Sequence, residues 1–150
     1  MITTHAKICL TVENEDTFHE LAATNPGVIL ILTSYAGAAV RKLISLLPPH
    51  LTFLHFGDLD PAGADILRDL REKNQRDIHP LIVRESPNLP RRRANSVDRH
   101  TLLRLCEASL PDALRIQVES LLEHGTPQDF EQENIPIEEV WDAVRNLRVS

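Results

Sequence analysis

Asp58 and Asp60 are the side chains in this sequence whose spacing most directly suggests chemistry. Two residues apart in an extended segment, they project to the same side and can aim both carboxylates at one point beyond a strand end. Carboxylates this close repel each other unless a cation, a proton or an arginine intervenes. A hard divalent ion such as Mg²⁺ or Mn²⁺ answers that need with oxygen ligands. A plainer reading stands beside it. Asp60 precedes Pro61, which suits a first helical position, and an aspartate there caps a helix by accepting a backbone N–H. Asp58 would then be a turn residue, and on this stretch alone the two readings are level.

The elements that must position the pair follow from hydrophobic patterning. Residues 51–56 are short and almost continuously apolar, which suits a strand buried on both faces of a parallel sheet. Past the acidic pair, Ile66, Leu67 and Leu70 fall on one helical face, in a helix running to about Lys73. Upstream, residues 8–12 read as a first strand that delivers Glu13 and Asn14 at its end, and Thr17, Phe18, Leu21 and Ala22 have helical spacing until Asn25-Pro26-Gly27 stops them. Residues 28–32 are a uniformly apolar second strand. A helix carrying Val40, Leu43, Ile44 and Leu47 is closed by Pro48-Pro49, and a further strand is expected at 78–83. The alternation of strand and helix predicts an α/β fold with a mainly parallel four-stranded sheet, helices on both faces and right-handed crossovers. Ligands of such sheets bind beyond the carboxyl ends of the strands, where Glu13, Asp58 and Asp60 all fall if the first and third strands are neighbours.

Beyond this core, of about residues 6–84, two prolines and no hydrophobic periodicity mark residues 85–96 as a connector. A helical extension over about 97–148 follows. It carries Leu102, Leu103, Leu105 and Cys106, then a helix opened by Pro111 with Leu114, Val118, Leu121 and Leu122 on one face and Gly125 as terminator. Thr126-Pro127 reads as another cap and first turn, and Ile137, Val140, Trp141 and Val144 as a last amphipathic helix. The whole is one domain of ordinary size, 150 residues long.

At 42% hydrophobic and 25% charged residues the chain is globular rather than disordered. No apolar stretch nears the ~20 residues that span a membrane, and no signal-peptide layout opens the chain. Cys9 and Cys106 lack CxxC spacing and read as reduced core residues of a cytoplasmic protein. The net charge of −6 argues against a general nucleic-acid binder, but it is uneven. Between Arg68 and Arg99 nine Lys/Arg face five Asp/Glu, a local +4, so that stretch can offer a basic surface to phosphates. His55 and His100 lack partners at zinc-ligand spacing. His55, three residues before Asp58 on an alternating strand, should point away from it as a packed or hydrogen-bonded histidine.

One glutamate and an Asp-x-Asp pair, carried at strand ends of an α/β sheet, is the arrangement of Toprim domains in topoisomerases, bacterial primases and related nucleases, and the sequence resembles that family in order, spacing and residue type. Thr11-Val12-Glu13-Asn14-Glu15-Asp16-Thr17-Phe18, followed by Phe56-Gly57-Asp58-Leu59-Asp60-Pro61-Ala62-Gly63, is similar to the C-terminal Toprim domain of JetD-type nuclease subunits of Wadjet anti-plasmid systems, a branch similar in turn to the A subunit of topoisomerase VI. Phe130-Glu131-Gln132-Glu133 also resembles a Glu-Gln-Glu stretch near the end of that domain, although Asp129-Phe130 stand where Arg-Leu is expected. The likeness runs from about Ile8 to Glu133.

The resemblance implies a nuclease that cleaves DNA phosphodiesters with Mg²⁺ or Mn²⁺ held by Glu13, Asp58 and Asp60. Glu13 is either a ligand or a general base. Asn14 would orient Glu13 or the phosphate, and Glu133 would add a second-shell or second-metal carboxylate. Arg91, Arg92 and Arg93 are candidate DNA-backbone contacts, to be seen as salt-sensitive, sequence-independent affinity. Expected partners are DNA and condensin-like ATPase subunits of a Wadjet-type complex, a second copy of the chain is a further candidate, and no membrane is involved. JetD-type proteins carry an N-terminal DNA-binding arm and topoisomerase VI a nucleophilic tyrosine in a separate domain. The arm is not in this sequence, and the lone Tyr35 reads as a loop or phosphate contact. The chain would thus be an excised domain, a standalone variant or a remnant. The competing expectation is a catalytically silent Toprim-like module that docks on partner subunits or DNA. A haloacid-dehalogenase-like phosphohydrolase fits poorly, because its acidic pair lies early in the chain and is followed by a hydroxyl residue, whereas Pro61 and Ala62 follow here.

Overall fold

The computed structural model describes residues 2–33, 37–83, 90–127 and 135–149. Tyr35, the 84–89 segment and Glu131-Gln132-Glu133 lie outside the described residues, as do Asp129 and Phe130. The chain order is β1 (Ile8–Val12), α1 (Glu15–Ala23), β2 (Ile29–Leu32), α2 (Ala38–Leu46), β3 (Thr52–Phe56), α3 (Pro61–Asn74), β4 (Ile78–Pro80), β5 (Arg91–Arg92), α4 (Ser96–Cys106), α5 (Asp112–His124), β6 (Thr126–Pro127) and α6 (Ile137–Val149). Strands β1 to β4 form one parallel sheet in the order β2-β1-β3-β4. The α/β fold expected from the alternation is present, with β1 and β3 as the inner pair.

Side-chain alternation along the strands explains why both faces of the sheet are covered. Cys9, Ile31, Phe53 and Ile78 point to one face and pack with Ile44 of α2, Leu67 and Leu70 of α3, and buried leucines of α4 and α5. Leu10, Val12, Leu54 and Phe56 point to the other face, against Leu21 of α1 and Val140, Trp141 and Val144 of α6. A strand buried at every position has no solvent side, and β1 is buried at all five, the hydroxyl residue Thr11 included. Trp141 Nε1 donates to Thr24 Oγ1 at 2.9 Å, fastening α6 to the end of α1.

Four local expectations need correction. Strand β4 ends at Pro80 rather than at residue 83. Residues 85–96 are not wholly a connector, because Arg91–Arg92 pair antiparallel with Thr126–Pro127 in a second, two-stranded sheet and α4 begins at Ser96. Thr126-Pro127 therefore form a strand, not a helix cap. Gly125 makes that possible: its φ of 83° turns the chain out of α5, and a Cβ there would collide with the Arg92 carbonyl. Cys9 is buried as expected, but Cys106, the last residue of α4, is exposed, since Leu102 and Leu105 alone form that helix's buried stripe. No helix among the described residues is long and apolar enough to cross a membrane.

Much of the basic stretch is used internally. Arg68 pairs with Asp65 and Glu72, at 2.8 and 2.6 Å, and Lys73 pairs with Asp69 at 3.0 Å. Arg76 donates to the carbonyls of Ile44 and Leu47 at the end of α2 and lies 5.2 Å over the Phe53 ring. Arg68 and Lys73 thus brace α3 along its own surface, and Arg76 ties the turn after α3 to the end of α2.

Candidate acidic centre at the carboxyl edge of the sheet

The parallel register of β1 and β3 sets Val12 beside Phe56, so the chains leave the sheet together with Glu13 next to Gly57. Glu13 N donates to Phe56 O at 3.1 Å, extending the ladder one residue past the last formal pair. In return Glu13 Oε2 accepts from the Asp58 amide at 3.4 Å, a long contact that still brings the glutamate carboxylate onto the turn holding Asp58. Gly57 leaves the space for it. A Cβ at that position would stand 2.7 Å from Glu13 Oε2 and 2.8 Å from His55 Nε2, closer than such atoms approach.

Asp60 caps α3, as its place before Pro61 suggested, with Oδ1 accepting from Gly63 N at 2.7 Å. Gly63 is fixed by the same corner, because a Cβ on it would collide with the Asp58 carbonyl. Asn14 caps α1 in a parallel way: its Oδ1 accepts from Thr17 N at 2.9 Å and so starts a helix directly after Glu13. Two strand-to-helix corners, each begun by a side-chain cap, frame the acidic residues.

Burial pushes the Glu13 carboxyl up to about 7, and the charge of Asp58 and, less strongly, of Asp60 adds to the rise, against a lowering by the Asp58 amide. Among the described residues no three His, Cys, Asp or Glu side chains surround a common point at ligand distances. The donor set nevertheless fits a hard divalent ion. Mg²⁺ uses one or two protein carboxylates and fills its remaining positions with water and phosphate, and the carboxylate crowding that adds to the effect of burial on Glu13 is what a cation relieves. Beside the acids, a cleft is lined by His55, Gly57, Asp58, Leu81 and Gln117.

The structure thus brings Glu13 against the Asp58 turn, with Asp60 two residues on and committed to its cap. Glu133 lies outside the described residues. Arg91, Arg92 and Arg93 sit on the small β5–β6 sheet and just after it. Arg91 Nη1 donates to Gly125 O at 3.0 Å, Arg92 is 3.9 Å from Asp98, and Arg92 and Arg93 are exposed.

Sequence reasoning missed the place of His55. It is hydrogen-bonded, as expected, with Nδ1 2.8 Å from Thr11 Oγ1. Yet its Nε2 lies 3.9 Å from Glu13 Oε2. Alternation along β3 turns His55 away from Asp58, whereas Glu13 arrives from β1 on the Thr11 side. The legible signal was Gly57, a residue without a side chain beside the strand-end glutamate.

A parallel α/β sheet covered on both faces, with two acidic strand ends meeting at its carboxyl edge, defines the class of domain. The family model for Wadjet protein JetD, C-terminal, matches residues 1–144, and the chain belongs to that family. No curated protein matches the chain.

Proposed function

We propose that the chain is a Toprim-type, Mg²⁺- or Mn²⁺-dependent DNA endonuclease domain of a Wadjet-type anti-plasmid system acting in the cytoplasm. The observation that carries this reading is the pairing of β1 with β3, which sets the Glu13 carboxylate on the amide of Asp58. Family membership supports the biological setting.

In this reading Glu13 and Asp58 hold the ion, and Asp60 contributes the carboxylate oxygen its cap does not use. When bound, the ion supplies charge neutralisation at a phosphate and an acidified water. Glu13, with its carboxyl near 7, can also hold or release a proton at neutral pH, which suits a general base. Asn14 fixes the corner after Glu13, and Glu133 is the candidate for an additional carboxylate. Arg91, Arg92 and Arg93 would track the DNA backbone, and condensin-like ATPase subunits and a second copy of the chain are the proposed protein partners.

A silent docking module is the second reading, favoured by the commitment of Asp60 Oδ1 to helix α3. Mg²⁺ calorimetry and plasmid nicking on wild type and on Asp58→Asn with Asp60→Asn separate the two, since asparagine keeps the cap but removes the charge. Binding and nicking that both vanish in the double variant support the nuclease. Wild type that binds the ion but cleaves no form of DNA supports the module.

A further inference from the structure

His55 is almost completely buried, and its Nε2 has no hydrogen-bond partner among the described residues. A buried ring nitrogen left in that state is costly unless some group is meant to meet it. The group it faces is Glu13, whose Oε2 stands 3.9 Å away across the space left by Gly57. That gap is about 1 Å longer than a hydrogen bond, within reach of a small rotation of the glutamate side chain.

Which nitrogen carries the proton is decided at the other end of the ring. Thr11 Oγ1 has one hydrogen and two acceptors in reach, His55 Nδ1 at 2.8 Å and the Leu54 carbonyl at 3.2 Å. If the hydroxyl donates to Leu54, Nδ1 must be protonated, and the bare lone pair of Nε2 faces the Glu13 carboxylate. If it donates to Nδ1, the shorter contact, Nε2 carries the proton and presents N–H to that carboxylate. With Glu13 ionised, as an ion ligand must be, only the second arrangement places opposite partial charges together, and carboxylates that ligate ions are commonly held this way by hydrogen bonds from a second layer of residues.

We infer that Thr11 and His55 form a relay that holds the Glu13 carboxylate in its ion-binding orientation: Thr11 Oγ1–H donates to His55 Nδ1, and His55 Nε2–H donates to Glu13 Oε2. His55 is here a positioning residue and touches neither ion nor DNA. The inference rests on the proposed role of Glu13 as a ligand, and the test keeps the two apart.

The direct readout is the imidazole ¹⁵N spectrum of His55 in the folded chain, with and without Mg²⁺, beside calorimetric Mn²⁺ affinity for wild type, Thr11→Val, His55→Phe and His55→Gln. Expected are the neutral Nε2–H tautomer in wild type with Mg²⁺, a shift toward Nδ1–H in Thr11→Val, and a Mn²⁺ affinity lowered roughly 10–100-fold in Thr11→Val and His55→Phe. His55→Gln, which keeps an N–H donor, should recover part of that loss. An Nδ1–H tautomer in wild type at a pH where Glu13 is ionised overturns the relay whether or not an ion binds. So does wild-type Mn²⁺ affinity in a folded His55→Phe. If wild type binds no ion, the metal-centre reading fails, and the tautomer on the same sample still decides the relay.

Discussion

Glu13 Oε2 and His55 Nε2 stand 3.9 Å apart, and burial displaces their proton affinities in opposite directions. The Glu13 carboxyl rises from an ordinary 4.5 to about 7, while the His55 imidazole falls from 6.5 to about 4. Folded Glu13 binds more protons than unfolded Glu13, so its contribution to stability declines as pH rises from about 4.5 to 7. Folded His55 binds fewer, so its contribution grows between about 4 and 6.5 and is fully present above that. The two slopes oppose each other through mildly acidic pH. Denaturant titrations across pH should therefore show Glu13→Gln gaining stability relative to wild type as pH rises through that window, and His55→Phe losing it. Parallel profiles for both variants and wild type would contradict the assigned environments.

Gly57 and Gly63 guard the same corner in different ways. In Gly57→Ala the new methyl meets the Glu13 carboxylate, which can swing aside, and the buried His55 ring, which must shift. The fold should survive with about 1–2 kcal/mol lost while Mn²⁺ affinity falls roughly tenfold or more. In Gly63→Ala the methyl meets the Asp58 backbone carbonyl, which cannot swing. A destabilisation of roughly 1–3 kcal/mol is expected together with weakened ion binding, measured by denaturant midpoint and calorimetry.

Reversing charge at Arg92 and Arg93, both exposed, tests the proposed DNA path without disturbing the Arg91 contact to Gly125. If both meet phosphates, the double Arg→Glu variant binds DNA more weakly at every sequence, and the slope of log affinity against log salt falls by about 2. An unchanged slope removes these arginines from the interface.

Cys9 and Cys106 should separate cleanly under alkylation. Cys106 is exposed, whereas Cys9 sits inside the sheet and its thiol is pushed up to about 12 by burial. Mass spectrometry should find one label per native chain, on Cys106, and a second only on unfolding. Rapid native labelling at Cys9 would mean that β1 opens.

Legibility in the sequence tracked how local the deciding physics was. Uniform apolar runs marked the strands, Asp60-Pro61 marked the start of α3, and the acidic residues were found at strand ends, because each signal lies within a few residues. What pairs with what did not follow from periodicity. Thr126-Pro127 has good helix-start chemistry, but pairing with Arg91–Arg92, more than thirty residues upstream, overrides it. Cys106 follows a buried leucine, yet one residue further around the helix the surface is already solvent. The partnership of His55 with Glu13 depends on which strand lies beside β3, and no pattern within β3 carries that information.

Because Glu13 and Asp58 hang from the two inner strands of β2-β1-β3-β4, their separation is set by the part of the sheet with neighbours on both sides. Native-state hydrogen exchange generally releases edges and termini before the middle of a sheet. The Glu13 amide, bonded to Phe56 O, should be among the last to exchange. Fraying at β2, β4 or the small β5–β6 sheet then leaves the distance between the carboxylates intact, and only global unfolding dismantles it.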